Sequence, residues 1–320
     1  MRAGEGGGTD MKTKKGRKTG LIIDNIQLLV LALPAIVLMI IFAYWPMFGV
    51  IMAFKDFKVP LGILGSPWAS PITKNFDFFI KSVDAFRVTR NTLLLNALFI
   101  AATTACAVAF ALVMYEVRRP WHIKTYQTIA IIPSFVSWIA VGYMVYALLE
   151  TQRGMLNHIL GAFGVDPVNW YNNYRYWPVI LLLAKIWQGV GLGSIIYYAA
   201  LVGIDSELFE AAAVDGATRV QQVWNISIPQ ITPVIIIMTI LAIGGVFRAD
   251  FGLFYNVTRD VGALYPATDV IDTYIFRALM KQGNVGMASA VNLIQSIVCF
   301  VTLTGANLLV RKLSPENALF

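Results

Sequence analysis

The chain has 320 residues, of which 58% are apolar and only 13% charged, against roughly 25% charged residues in an ordinary soluble domain. A water-soluble fold of that composition would have nowhere to place its apolar surface, so the excess belongs in lipid. The net charge of +7 is spread over segments that flank the apolar runs, which points to anionic membrane lipid as a partner and away from nucleic acid.

In chain order, residues 1–26 are glycine-rich and then basic, with Arg2, Lys12, Lys14, Lys15, Arg17 and Lys18. They show no apolar periodicity and are expected to form a cytoplasmic arm, disordered or bound to the membrane surface; Met11 offers an alternative start. Apolar runs follow at 27–53, 91–115, 126–150, 178–202, 231–253 and 286–309. Each reaches the roughly 20 residues a helix needs to cross a hydrocarbon core of about 30 Å. The runs are continuous, so helices fit and a β-barrel with its period of two does not. The first run is too long for a secretory signal and lacks an A-x-A-like cleavage site, so it reads as an anchor. Pro34, Pro46, Pro133, Pro178 and Pro233 suggest kinks or helix starts, which membrane helices tolerate. The expected fold is all-α and polytopic, with about six transmembrane helices in one membrane domain, 27–310, and a cytoplasmic tail, 311–320.

Orientation follows from the basic residues. Lys and Arg totals on the two sides are nearly equal, because six lie between Lys55 and Arg90. Density decides: the N-terminal arm and the short loop with Arg118, Arg119 and Lys124 are placed in the cytoplasm, together with Arg311 and Lys312. The two long segments at 55–90 and 254–285 then face outward. The first is punctuated by Pro60, Gly62, Gly65, Pro67 and Pro71 before an amphipathic stretch, Phe76–Arg87, expected at the interface; the second holds a candidate helix near Asp269–Lys281. Cys106 and Cys299 are the only cysteines and lie in apolar runs, while His122 and His158 lack ligand spacing. No metal site, catalytic residue or resident cofactor is expected on this chain.

The most informative stretch is the cytoplasmic loop 203–230. Asp205 or Ser206 can cap a short helix, Glu207 suits its positive end, and Gly216 can supply the left-handed residue that stops it, for about 11 residues in all. Leu208, Ala211 and Ala212 share one face, where alanine permits close approach of another surface, and Glu210 and Asp215 set carboxylates at its margin. A protruding peg results. Glu210-Ala211-Ala212, three residues, Gly216, nine residues, Ile226, one residue, then Ile228 and Pro229 resembles the EAA motif of binding-protein-dependent ABC importer permeases, with Ile228 where that pattern has Leu. Phe48-Gly-Val-Ile-Met-Ala-Phe-Lys-Asp-Phe57, Gly62-Ile-Leu-Gly-Ser-Pro-Trp68, Arg90-Asn-Thr-Leu93, Asn169-Trp-Tyr171 and Trp187-Gln-Gly-Val-Gly191 look like the oligosaccharide and polysaccharide branch of that family, with its lipoprotein-type and alginate-type permeases.

The resemblance implies a type I ABC importer permease fold in a bacterial inner membrane and a transport subunit, not an enzyme. The sequence has no G-x-x-x-x-G-K-[ST], so ATP hydrolysis and its Mg-ATP belong to a partner. The partners implied are two ATPase subunits, a second homologous permease and an extracytoplasmic solute-binding protein that delivers a carbohydrate, expected to be an oligosaccharide. ATPase coupling falls on Glu210, Ala211, Ala212, Asp215, Gly216 and Pro229. For the substrate path, ionisable and aromatic groups within the membrane are the candidates. Lys185 and Gln188 share a face beside Trp187, roughly two turns inside the Pro178 end, and Phe247, Arg248, Asn292 and Gln295 could converge with them. Three alternatives stand against this reading. Another solute class would use the same loop. A secondary transporter would normally show inverted repeats and a relay of buried acids, and a scaffold without transport would not need the EAA spacing.

Overall fold

The computed structural model describes residues 27–117 and 119–318. The N-terminal arm 1–26, Arg118 and the last two residues of the tail lie outside the described residues. Among the described residues, five helices are long and apolar enough to span a membrane: α1 (Gln27–Phe54), α3 (Val83–Tyr115), α7 (Trp177–Val202, with a leading turn from Tyr174), α9 (Arg219–Gly244) and α11 (Val285–Leu313). The sixth candidate span is a bent pair, α4 (Pro120–Ile131) with its continuing turn Ile132–Phe135, and α5 (Trp138–Leu149), inclined to one another by 94°. Between the spans lie α2 (Lys74–Ile80), α6 (Met155–Ala162), α8 (Ser206–Val214) and α10 (Ile271–Met280).

Several boundaries differ from the sequence expectation, among them these, each for a local reason. The third run, 126–150, is not one helix. Pro133 sits in a tight turn, Val136 is extended, and the Ser137 hydroxyl accepts from the Ala140 N–H to start α5. The second span begins at Val83, eight residues early, because the Ser82 hydroxyl accepts from the Asp84 N–H and caps it. That cap also splits the expected Phe76–Arg87 stretch between α2 and α3. The fifth run reads as helical to 253, but α9 stops at Gly244-Gly245. The chain then runs as a loop and re-forms helix at 251–257. The outward helix near Asp269–Lys281 is α10.

Helices α3 and α7 form the central pair. At the end that carries α8 they meet α9 through Ala107, Ala111, Tyr197, Leu201 and Ile231. Toward the outside, Phe99, Trp177, Leu181, Phe254 and Val257 build the largest buried cluster, and a second joins α2, α10 and α11 through Phe79, Ile271, Tyr274 and Met287. Helix α1 stands apart: none of its most apolar window is buried, and only its outer end, with Ala53 fully enclosed, packs on the rest. The bend between α4 and α5 is accommodated by α7. A Cβ at Gly191 would fall 1.8 Å from the Ala130 carbonyl oxygen, whereas Gly189, on another face of the same helix, has open space.

Gly191→Ala is therefore expected to force α4 off α7 and cost about 3 kcal/mol, the upper end for overpacking, with Gly189→Ala neutral or slightly stabilising; melting followed by size exclusion in detergent reads both. For topology, single cysteines at Ser206 and Thr73, both exposed, are expected to react with an impermeant maleimide from opposite sides of the membrane.

Candidate functional site

On the inner side, α8 is a peg closed at both ends. The Asp205 carboxylate accepts from the Glu207 N–H at 3.0 Å, satisfying a free donor of the first turn. At the other end Gly216 has φ +79°, which lets its N–H donate to Ala213 O at 3.1 Å and the Ala217 N–H to Ala212 O at 2.9 Å. This paired closure is the one glycine permits at a helix end. The helix is nine residues long, two short of expectation. Phe209 anchors it, its ring 5.9 Å from that of Tyr115 at the end of α3. Glu210, Ala211 and Asp215 are exposed and Ala212 is half-buried. Around them Leu208, Val214 (88% exposed) and, across the joint, Val220 and Trp224 (66%) leave an apolar surface uncovered. Thr218 and Gln221 form a reciprocal cap that starts α9 three residues after Asp215, and Pro229 begins its regular part.

In the bundle, Lys185 of α7 and Arg248, Ala249 and Asp250 of the loop after α9 line one cavity of about 350 Å³, closed on the other side by Asn96, Phe99 and Thr103 of α3. The Lys185 ammonium donates to Asp250 Oδ2 at 2.8 Å, and the Trp138 indole N–H donates to the same oxygen at 3.0 Å. Lys185 also lies 5.6 Å from the centre of the Trp138 ring. Arg248 has no such carboxylate among the described residues; its guanidinium donates to the Ser296 hydroxyl at 3.2 Å. The backbone that carries these charges is held from three sides. Asn96 Nδ2 donates to Val246 O at 2.7 Å and Arg248 O at 3.0 Å, the Ala249 N–H donates to Asp272 Oδ2 at 2.7 Å, and Gln295 Nε2 donates to Phe247 O and, at 3.0 Å, to Asp272. Burial holds the Asp272 carboxyl above the ordinary value, against the opposing pull of the Ala249 N–H and Gln295.

The residues expected in the substrate path thus separate. Lys185 and Arg248 share the cavity. Gln188 is on the Lys185 face, but its amide donates to Val136 O at 3.0 Å and secures the break before α5. Trp187 turns the other way, into an apolar groove with Met144, Leu148 and Leu183. Phe247 packs in the outer cluster, Gln295 is buried as a tie to the loop, and Asn292 is exposed on α11. Sequence reasoning misses Asp250 and Trp138. Their signal is an acid two residues after Arg248 at the end of an apolar run, and an indole just past Pro133.

Above the cavity, an ion network fixes α10 to α3. Asp269 is fully enclosed and pairs with Arg277 at 2.6 Å and Arg87 at 3.1 Å, while Asn91 Nδ2 donates to Asp269 O at 3.1 Å. Removing one partner of so enclosed a set typically costs about 3–5 kcal/mol.

A helical bundle with a capped peg between two spans and a charged internal cavity defines a polytopic permease. Residues 87–315 match the family described as binding-protein-dependent transport system inner membrane component, and the chain belongs to that family. It is 33% identical over 307 residues, 95% of this chain and 94% of the relative, to the polygalacturonan/rhamnogalacturonan transport system permease protein YteP of Bacillus subtilis (strain 168). Its fold matches a crystal structure of a bacterial ABC transporter involved in the import of the acidic polysaccharide alginate, with TM-score 0.83 and 30% identity over 93% of this chain and 99% of that one. A second match, at TM-score 0.81 and 29% identity over 92% and 96%, is the alginate ABC transporter in complex with an alginate pentasaccharide-bound periplasmic protein. The protein is accordingly a multi-pass inner-membrane permease subunit of an ABC importer, and not itself an enzyme.

The Lys185–Asp250 pair is about 30% exposed on both sides, so Lys185→Met alone is expected to cost about 1–3 kcal/mol by leaving a carboxylate short of a donor. Asp250→Asn in the same chain is expected to recover most of that loss. Thermal melts of the two single variants and the double variant in detergent measure the coupling.

Proposed function

We propose that this chain, with a homologous second permease, forms the translocation path for an oligosaccharide delivered by an extracytoplasmic binding protein. In this reading the loop 203–230 receives an ATPase subunit, which holds the Mg-ATP, and no cofactor resides on this chain. The observation that carries the proposal is the exposed peg and its connection to α9. Residues of the EAA spacing lie on a helix that is closed at both ends, uncovered on its alanine face, and coupled through a short joint to a span whose far end carries Arg248 and Asp250. Leu208, Ala211 and Ala212 give a flat apolar seat, Glu210 and Asp215 supply the charged rim, Gly216 fixes the closure, and Pro229 sets the entry into the regular part of α9.

The inner cavity supplies the rest. Its wall combines a cation–carboxylate pair, a second cation, an amide and hydroxyls, which suits the donors and acceptors of a sugar. Charged groups at that depth need water, each other or substrate, since a charge left in hydrocarbon costs at least about 2.5–3.5 kcal/mol. Lys185 and Arg248 are assigned to the path itself, and Gln188, Phe247 and Gln295 to holding its walls. The relatives transport polygalacturonan/rhamnogalacturonan and alginate by their names, which supports a carbohydrate over other solutes.

Glu210→Lys is expected to leave expression and membrane insertion unchanged while transport falls about tenfold or more, because a reversed rim charge opposes docking by like-charge repulsion. The measurement is co-purification of the ATPase and uptake in proteoliposomes. Wild-type ATPase recovery together with normal uptake would remove the peg from coupling.

A further inference from the structure

A second recess opens at the outer end of the bundle, between α5 and the loop after α9, and holds about 180 Å³. Ile139 and Tyr143 of α5 form one wall, and Tyr255, Asn256 and Arg259 form the other. The floor is Gly142, where an added Cβ would stand 2.5 Å from the Asn256 carbonyl oxygen. Ile139, Gly142, Tyr143 and Tyr146 follow the i, i+3, i+4, i+7 spacing that makes one stripe of a helix. Tyr171, just before α7, donates to Val257 O at 3.4 Å, which sets this loop at the outer rim.

Arg259 is the unusual member. It and Asp260 are consecutive non-glycine residues with positive φ, +57° and +51°, a conformation that side chains with a Cβ adopt rarely and that concentrates at functional sites. The double turn sends the two charges opposite ways. Asp260 is taken up by Lys281 at 2.6 Å, the Tyr265 hydroxyl at 2.9 Å and Arg277 at 3.3 Å. Arg259 is exposed, its guanidinium 4.1 Å from the ring centre of Tyr146 and 5.9 Å from that of Tyr143. Among the described residues it has no carboxylate within ion-pair distance and no hydrogen-bond acceptor.

The cation–π contact with Tyr146 holds the guanidinium without using an acceptor for its N–H groups, and those groups are the part that grips a carboxylate with two parallel bonds. Tyr143, 65% exposed, offers an open aromatic face to the apolar side of a sugar ring. We propose that Arg259, Tyr143 and Tyr146 form an entry subsite for a carboxylate-bearing sugar residue of the transported glycan, which passes from there to Arg248 in the inner cavity. This rests on the reading of the chain as a carbohydrate permease. An exposed cation held against aromatic rings orients an acidic sugar without burying it, so release inward remains easy.

The test uses the full importer in proteoliposomes, with its second permease, ATPases and binding protein, supplied with tetragalacturonate or with its carboxyl-reduced, neutral counterpart. Arg259→Gln is expected to lower transport of the acidic glycan about tenfold, as the loss of one charge-assisted pair implies, and that of the neutral one by less than about twofold, with the second permease recovered at wild-type yield. Tyr143→Ala is expected to lower both glycans alike, because stacking is blind to charge. Equal losses on both glycans in Arg259→Gln, no loss, or loss of the second permease on purification would overturn the subsite; the last would assign Arg259 to a carboxylate on that subunit. Transport of the neutral glycan alone by the unmutated importer would overturn the subsite and leave the carbohydrate reading standing. Transport of neither glycan by the unmutated importer, with ATP hydrolysis stimulated by a solute of another class, would overturn both.

Discussion

In hydrocarbon a carbonyl or amide without a partner costs several kcal/mol, so a chain can leave the helical state at depth only where something else satisfies its backbone. This protein does so twice, at residues 136–137 and again between Gly244 and Phe251. In both places side chains from other helices replace the missing ladder. Gln188 reaches Val136, and Asn96, Asp272 and Gln295 together take up the polar groups of 246–249. Irregular backbone here therefore requires a set of buried amides and one enclosed carboxylate. With them in place, the loop can aim Arg248 and Asp250 into the bundle, which a straight continuation of α9 would not do.

The same constraint explains the close helix contacts. A 94° bend in the third crossing needs a neighbour without a side chain where the bend approaches it, and Gly191 provides that against Ala130. Trp138, the first residue of the helix after the bend, then sits beside both members of the Lys185–Asp250 pair. Bend, glycine and ion pair are one arrangement. The outer ion network around Asp269 plays the corresponding part for α10, fixing the helix that supplies Asp272 to the loop.

Much of this is legible in the sequence, and the remainder is hidden for physical reasons. Continuous apolar runs locate every crossing, and the caps and stop of α8 can be read from Asp205 and Gly216 because capping is local chemistry. Helix ends at depth are harder. Hydropathy alone treats 231–253 as one span, since Gly244 and Gly245 are uncharged and too few to interrupt the apolar average around them, and it cannot see that Pro133 ends a helix there while Pro233 lies inside one. Side-chain roles are hardest. Gln188 and Gln295 carry the polar signature of a substrate contact, yet their amides are taken up by backbone. Asp250, which does face the cavity, is masked by the apolar run that contains it. Several secondary motifs prove to be fastenings: Lys55 donates to Ile63 O and Leu64 O to shape the outer loop, and Asn91 ties α3 to the segment before α10.

Helix α9 has 26 residues, or about 39 Å at 1.5 Å per residue, and it begins at the peg's joint and ends at the loop that bears Arg248 and Asp250. A single rod therefore has one end at the proposed ATPase seat and the other at the proposed sugar cavity, with no relay of intermediate parts between them. Equilibrium linkage then runs in both directions. By whatever factor closure of the ATPases changes the affinity of the cavity for a glycan, the glycan in the cavity must change the affinity of closure by the same factor, so a sugar resting against Arg248 is also an effector of the nucleotide-binding side.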